Sequence, residues 1–111
     1  MTVDYPPRLV ALQAQLHRVR SQHEELCATL PWSADPLEGW QAREGVYSHR
    51  GDVEASPGYT PQQRARKAAF ERRLSRLTGL VLTDPFWATL AREDIVEARM
   101  GLKRAHLVQG A

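Results

Sequence analysis

Between residues 7 and 30 the apolar positions recur in alternating steps of three and four residues. This spacing places the side chains on one stripe of a helix over about three heptads. The stripe consists of Leu9, Leu12, Leu16, Val19, Leu26 and Leu30. One polar residue, His23, occupies a position on it, and Pro31 disfavours helical dihedrals at the residue before it. The pattern therefore predicts a helix over about residues 7–29.

A second helical pattern begins with a strong start signal. Thr60 is suited to the N-cap, Pro61 to the first helical position, and Gln63 to the return hydrogen bond of a capping box. The apolar stripe that follows is Phe70, Leu74, Leu77 and Val81. Gly79 weakens the last turn. We predict a helix over about residues 61–80.

A third apolar segment follows a second N-cap signal, Asp84 before Pro85. Phe86 and Trp87 come directly after the cap, and we expect both in the core. Residues 92–94 are charged and interrupt the stripe, which resumes at Ile95, Ala98, Leu102 and Ala105. The pattern predicts a helical segment over about residues 85–107, either as one bent helix or as two.

Residues 31–60 have no sustained period, and their prolines and glycines are typical of turns. Half of the chain's eight aromatic residues nevertheless lie here: Trp32, Trp40, Tyr47 and Tyr59. Long irregular loops inside compact domains are usually functional or packed by their own side chains. We therefore expect a loop held over the helices by these aromatic residues, with a short helical turn near residues 39–44.

These elements predict an all-α fold, a small antiparallel bundle of three to four helices. The 111 residues allow a single domain, 1–111, and show neither a strand pattern nor an internal repeat. With 42% hydrophobic and 25% charged residues, the composition excludes wholesale disorder and collagen-like structure.

The composition also favours a bacterial cytoplasm. No apolar run approaches the roughly 18 residues of a membrane span, and the first residues lack the basic and apolar parts of a signal peptide. A single cysteine, Cys27, cannot form an internal disulfide, which fits a reducing compartment. Arginine supplies 13 of the 15 basic residues and asparagine is absent, a bias that indicates a GC-rich genome.

The net charge of +2 is unevenly distributed. Residues 31–60 sum to −3 and residues 61–79 to +5, so the acidic loop could face the basic helix. Four arginines fall round one side of the predicted helix beside its apolar stripe: Arg66, Arg72, Arg73 and Arg76. Such a row could follow nucleic-acid phosphates, although it fits a solvated helix face equally well. No sequence motif of a known nucleic-acid-binding module accompanies it.

His23 and Cys27 lie four residues apart and would share one helix face, as two zinc ligands would. A complete site would need further ligands, for which the candidates are His17, His49, His106 and Glu24. The alternative is that Cys27 packs as a small apolar residue and His23 is a polar position of the stripe. We expect no cofactor.

Catalytic motifs are absent: the sequence has no nucleophile elbow, phosphate loop, dinucleotide fingerprint or HExxH. His49 lies near Asp52, Glu54 and Tyr47 in the loop, where a carboxylate could orient the imidazole for acid–base work. A solvated loop histidine is the more common situation. We predict a protein that is not an enzyme.

The leading hypothesis is a protein–protein interaction or adaptor module. Its partner would be another protein, or a second copy bound through the apolar stripe of the first helix. Tryptophan is enriched among the residues that dominate interface energy, so the expected contact residues are Trp32, Trp40, Tyr47 and Tyr59. A nucleic-acid-binding accessory protein is the alternative, and a metal-dependent sensor using His23 and Cys27 is the third.

Overall fold

The structure of the protein is a computed structural model that describes residues 3–40 and 53–109, with side chains as far as residue 105. Its elements are α1 (Pro7–Thr29), α2 (Pro61–Leu82), two 3₁₀ turns (Pro85–Thr89 and Arg92–Asp94) and α3 (Ile95–Gln109). No strand forms within the described ranges, which confirms the all-α prediction. None of the described helices is both long and apolar enough to span a membrane.

The first two helices begin where the sequence places them. Pro7 opens α1, and Leu30, held extended before Pro31, closes it. At the start of α2 the Thr60 hydroxyl accepts from the Gln63 N–H at 3.1 Å, and the Gln63 side chain accepts from the Thr60 N–H at 2.8 Å. This reciprocal pair is the predicted capping box.

α2 continues to Leu82, past its predicted end at about residue 80. Gly79 does not stop the helix because Val81, one turn below Leu77, is buried in the core. Burial of that side chain outweighs the low helix propensity of one glycine, a cost of about 1 kcal/mol. The helix ends at Thr83, whose N–H and hydroxyl both donate to the Gly79 carbonyl.

The segment predicted to be helical over about residues 85–107, as one helix or two, consists of two short 3₁₀ helices followed by α3. Asp84 caps the first 3₁₀ turn, its carboxylate accepting from the Phe86 N–H at 2.9 Å. The chain then becomes extended at Leu90 and Ala91, which separates the two turns and prevents one continuous helix.

α1 and α2 pack antiparallel along their apolar stripes. Leu16 and Val19 of α1 bury against Leu77 of α2. Nearer the start of α1, Leu9 and Val10 meet Val81 together with three residues from the C-terminal segment: Trp87, Ala98 and Leu102. Trp87 is buried as expected, and its indole N–H donates to the Val81 carbonyl at 2.7 Å.

Most side chains of the apolar stripe of α1 are buried inside the chain. Leu9, Leu16 and Val19 are buried in the two core clusters formed with α2 and the C-terminal segment, and Leu26 is buried as well. Most of the apolar side chains that a homodimer through the stripe would use are therefore covered within the chain, and the homodimer stays a prediction.

Tyr5 fixes α3 against the start of α1. Its hydroxyl donates to the Ala98 carbonyl at 2.6 Å, and its ring lies 5.9 Å from that of Phe86. Partial burial, and secondarily the negative charge of Glu97, raise the pKa of the Tyr5 hydroxyl. The hydroxyl therefore stays protonated and can donate this hydrogen bond throughout the neutral range.

Candidate functional site

The two ends of the long connection, residues 31–40 and 53–60, pair with each other; we call them the paired loop. Leu37 and Ser56 exchange two backbone hydrogen bonds of 3.0 and 2.8 Å. Trp40 and Val53 exchange two more, both 2.8 Å long and also antiparallel. The two described ends of the connection are thereby held side by side.

Two glycines permit this pairing. A Cβ atom on Gly39 would lie 2.1 Å from the Val53 carbonyl oxygen, so no larger residue fits between the paired segments. Gly58 adopts φ +79, the left-handed region that favours glycine. Its N–H donates to the Ser56 hydroxyl at 3.2 Å, which fixes the turn before α2.

Arg64 attaches the paired loop to α2. Its guanidinium donates to the Ala34 carbonyl at 2.8 Å and to the Asp35 carboxylate at 3.0 Å. It also lies 6.0 Å from the centre of the Tyr59 ring, a cation–π distance. The expected contact between the acidic loop and the basic helix is confirmed at this ion pair.

Three large apolar side chains of the paired loop are exposed, and we call them together the tryptophan patch: Trp32, Leu37 and Trp40. They are 49%, 49% and 39% exposed. The Trp32 and Trp40 rings meet edge to face, with centres 5.6 Å apart. The Trp32 indole N–H donates to the Glu54 carbonyl at 2.8 Å, which fixes the orientation of that ring.

Three of the four loop aromatic residues singled out from the sequence lie within the described ranges. Trp32 and Trp40 contact each other and remain about half exposed. The expectation that aromatic residues hold the whole loop over the helices also concerns residues 41–52, which lie outside the described ranges, and it stays a prediction. Tyr59 is half-buried beside Arg64 and lies outside the patch. Tyr47 and most of the expected helical turn fall outside the described residues. Leu37, which sequence reasoning missed, lies between the two tryptophans in the sequence.

Two acidic side chains, Glu38 and Glu54, border the tryptophan patch. Both are exposed, and within residues 3–40 and 53–109 neither forms an ion pair. The paired loop therefore carries two exposed negative charges next to residues of the tryptophan patch. Rigid, half-exposed tryptophans lose little side-chain freedom on binding and supply large contact areas.

The four arginines singled out from the sequence form the arginine face of α2: Arg66, Arg72, Arg73 and Arg76. All four are exposed, and none has an ion-pair partner in the described part of the chain. Arg66 and Arg73 line a groove beside α1 together with Gln22 and Glu25. By the helical repeat, Arg72 and Arg76 point further away from α1.

Comparison with known families covers nearly all of this architecture. A model of a domain of unknown function, DUF8825, matches residues 8–105. The chain belongs to this family. No curated protein and no solved structure matches the chain.

The matched span of this DUF8825 domain includes α1, α2, the paired loop and most of α3. The tryptophan patch and the arginine face are therefore parts of the family domain itself. Since the family description assigns no activity, the function of the domain has to be inferred from its geometry.

In this DUF8825 domain the two predicted metal ligands, His23 and Cys27, lie close together, but the described residues supply no complete ligand set. The Cys27 sulfur lies 3.6 Å from Nε2 of His23, and a Glu71 carboxylate oxygen lies 3.7 Å from the same nitrogen. Among the described residues, no group of three or more His, Cys, Asp or Glu side chains is arranged to hold a metal ion. His49 falls outside those residues, as does the side chain of His106.

Glu71 also forms an ion pair with Lys67, one turn before it on α2, and this contact is shorter than the one with His23. That hydrogen bond lowers the pKa of Glu71 and raises the pKa of Lys67. The contacts of His23 and Cys27 are thus part of a polar link between α1 and α2. This agrees with the alternative in which His23 is a polar position on the helix stripe.

The acid–base cluster considered from the sequence is not assembled in the described residues. Its members His49, Asp52 and Tyr47 lie outside them. The remaining member, Glu54, is exposed, and its backbone carbonyl accepts the Trp32 indole hydrogen bond.

Proposed function

We propose that this chain is a non-enzymatic interaction module of the bacterial cytoplasm that binds a partner protein through the tryptophan patch. The observation that carries the proposal is the fixed, half-exposed pair Trp32 and Trp40. A folded chain that buries Trp87 yet leaves two tryptophans in water retains apolar area that an interface can cover.

The rim of the patch defines the chemistry of the partner. Glu38 and Glu54 favour a segment that presents apolar side chains flanked by lysine or arginine, because opposite charges at an interface rim accelerate association. A patch of three side chains is smaller than a standard interface of about 1,600 Å². The proposed complex is therefore transient, or it extends beyond the described residues.

Affinity capture from a lysate of the native host tests the proposal. The bait is the tagged full chain, the test variant is Trp32→Ser with Trp40→Ser, and the lysate is divided into nuclease-treated and untreated halves. The matched control is Val96→Ser with Met100→Ser, which removes two other exposed apolar side chains. We expect one defined protein that survives nuclease, is retained by the control and is lost from the tryptophan variant.

Equal retention by the wild-type chain and the tryptophan variant would contradict the proposal. A second copy of the chain is distinguished by light scattering during size-exclusion chromatography of the purified protein. Self-association that disappears in the tryptophan variant would identify the partner as the chain itself.

A second candidate function, nucleic-acid binding, is favoured by one observation: the arginine face carries four cations without ion-pair partners among the described residues. Four phosphate contacts would make the logarithm of the binding constant fall with the logarithm of salt with a slope of about −3 to −4. The variant Arg72→Glu with Arg73→Glu should abolish that binding without changing thermal stability. Arg92→Glu, a change at another exposed arginine, is the control and should retain most of it.

A further inference from the structure

A cleft of about 190 Å³ lies between α2 and α3, with α1 beneath it. Its apolar wall is formed by side chains from all three helices and from the first 3₁₀ turn: Leu16, Val81, Trp87 and Leu102. The polar residues around it include Gln13, Arg20, Arg99 and Lys103.

The connection between α2 and α3 creates the opening. Trp87 in the first 3₁₀ turn and Leu102 on α3 both pack into the same core cluster as Leu9 of α1. α3 is thereby held mainly against α1, and the last turns of α2 stand apart from it. The cleft is thus a consequence of how the core is built.

All the charged side chains that line the cleft are positive. Arg20 approaches from α1, while Arg99 and Lys103, four residues apart, share one face of α3. No carboxylate lines the cleft. None of these three cations has an ion-pair partner in the regions that the structure describes.

Gln13 supplies an uncharged polar group in the wall of the cleft. The residue is only 3% exposed, and it lines the cleft. Its carboxamide makes no hydrogen bond to another group within residues 3–40 and 53–109. The amide atoms keep some contact with water inside the cleft, so a ligand that enters the cleft can replace that water and accept a hydrogen bond from the carboxamide.

We propose that this cleft binds a small organic anion that has an apolar body. The carboxylate or phosphate oxygens would meet Arg20, Arg99 and Lys103, Gln13 would donate to one oxygen, and the apolar body would contact Leu102 and Trp87. The volume of the cleft limits the size of the ligand, because cavities of about 150 Å³ hold a benzene ring and sites for drug-sized ligands begin near 300 Å³. The ligand is a single-ring or short branched-chain anion.

This site is independent of the tryptophan patch. Val81 lines the cleft, whereas Arg64 holds the paired loop, and 17 residues of helix at 1.5 Å each separate the two by about 25 Å. A small-molecule site here could therefore exist with or without the proposed interaction surface.

Calorimetric titration of the purified full chain with sodium phenylacetate tests the site, together with two comparison compounds. Phenylacetamide has nearly the same shape without the charge, and inorganic phosphate has the charge without the apolar body. We expect saturable one-to-one binding of phenylacetate, weakened about tenfold or more for each comparison compound and reduced by added salt.

Variants locate the binding. Arg99→Gln with Lys103→Gln should weaken phenylacetate binding about tenfold or more, since it removes two charge-assisted contacts. Arg104→Gln, on the same helix but outside the cleft, should leave it unchanged. Gln13→Leu keeps a similar side-chain size, should fold at least as stably, and should weaken binding by removing the amide donor.

Three results would overturn the proposal. One is the absence of binding up to about 10 mM phenylacetate, weaker than any useful affinity for an assembled site. Another is equal binding of phenylacetamide. The third is unchanged binding in both the Gln13→Leu and the Arg99→Gln, Lys103→Gln proteins. Thermal unfolding of each variant is followed by circular dichroism. A single cooperative transition shows that the variant is folded, so that a loss of binding does not result from unfolding.

Discussion

Arg8 in the first turn of α1 forms a two-pronged ion pair with Asp84, the residue that caps the turn after α2. The guanidinium donates to the two carboxylate oxygens at 2.8 and 3.2 Å, and the Asp84 side chain is only 5% exposed. One carboxylate therefore joins the start of α1 to the chain reversal that directs α3 back onto the core.

Asp84→Asn should lower the free energy of unfolding at pH 7 by about 1–2 kcal/mol. Asparagine can still cap the turn, so the loss reports the charged contact with Arg8. The gain from the pair is limited because the Arg8 side chain is 59% exposed. Chemical denaturation of both proteins measures the difference.

The difference in the free energy of unfolding between wild type and Asp84→Asn should depend on pH. The hydrogen bond from the Phe86 N–H, followed by the contact with Arg8, lowers the pKa of Asp84 in the folded protein. Near and below the ordinary aspartate value of about 3.9, the unfolded chain therefore takes up a proton more readily than the folded one. The stabilising contribution is complete at neutral pH and is lost as the pH falls from about 5 through the folded-state pKa.

The advantage of the wild-type protein over Asp84→Asn should accordingly shrink between about pH 5 and pH 3. Glu93→Gln, a change at an exposed carboxylate, is the control and should show little effect at either pH. A difference between wild type and Asp84→Asn that stays constant with pH would contradict the assigned role.

Two helical glycines should respond in opposite directions to replacement by alanine. No atom lies within 4 Å of a Cβ built on Gly79, so Gly79→Ala should stabilise the protein by about 0.5–1 kcal/mol through helix propensity. A Cβ on Gly101 would lie 2.5 Å from the Tyr5 hydroxyl, so Gly101→Ala should displace Tyr5 and destabilise by about 1 kcal/mol.

A double variant separates that clash from a general effect of alanine on α3. In a Tyr5→Phe background the hydroxyl is absent, so Gly101→Ala should no longer destabilise. Thermal and chemical unfolding of the four proteins of this cycle give the coupling. Additive effects of the two changes would show that the Tyr5 hydroxyl is not what requires glycine at this position.

Gly39→Ala should open the paired loop and leave the three helices folded. The added methyl group would overlap the Val53 carbonyl, so the backbone bonds of Trp40 and Leu37 to their partners should break. Amide hydrogen exchange at these positions should accelerate by at least tenfold while the helical circular dichroism stays constant. Glu38→Ala is the matched control, and equal exchange in the wild-type and Gly39→Ala proteins would refute the packing argument.

The helices could be predicted from local signals because each signal acts within one or two turns. The stripe from Leu9 to Leu30 with Pro31 after it defines α1, and the Thr60 capping box defines the start of α2. Gly79 misled the prediction of the α2 end, because the burial of Val81 is a tertiary effect. The charged residues 92–94 left open whether one helix or two follows residue 85, because the extended residues Leu90 and Ala91 carry no strong turn signal.

The candidate sites required the folded chain. The sequence does not show that the rings of Trp32 and Trp40 meet edge to face, because that contact depends on how the two ends of the loop pair. Helical periodicity places the four arginines on one helix. It does not reveal that they lack ion-pair partners among the described residues. The cleft combines Gln13, Arg20 and Lys103 from distant parts of the sequence, so no local pattern marks it.

The most direct test of the interaction module places a photo-crosslinking benzoylphenylalanine at Leu37, an exposed residue of the tryptophan patch, inside living host cells. The same group at Met100, another exposed apolar position, is the control. We expect a discrete protein adduct from position 37 that is absent from position 100 and disappears when Trp32→Ser and Trp40→Ser are added. No adduct at position 37, or the same adduct from both positions, would contradict the claim that the tryptophan patch is the binding surface.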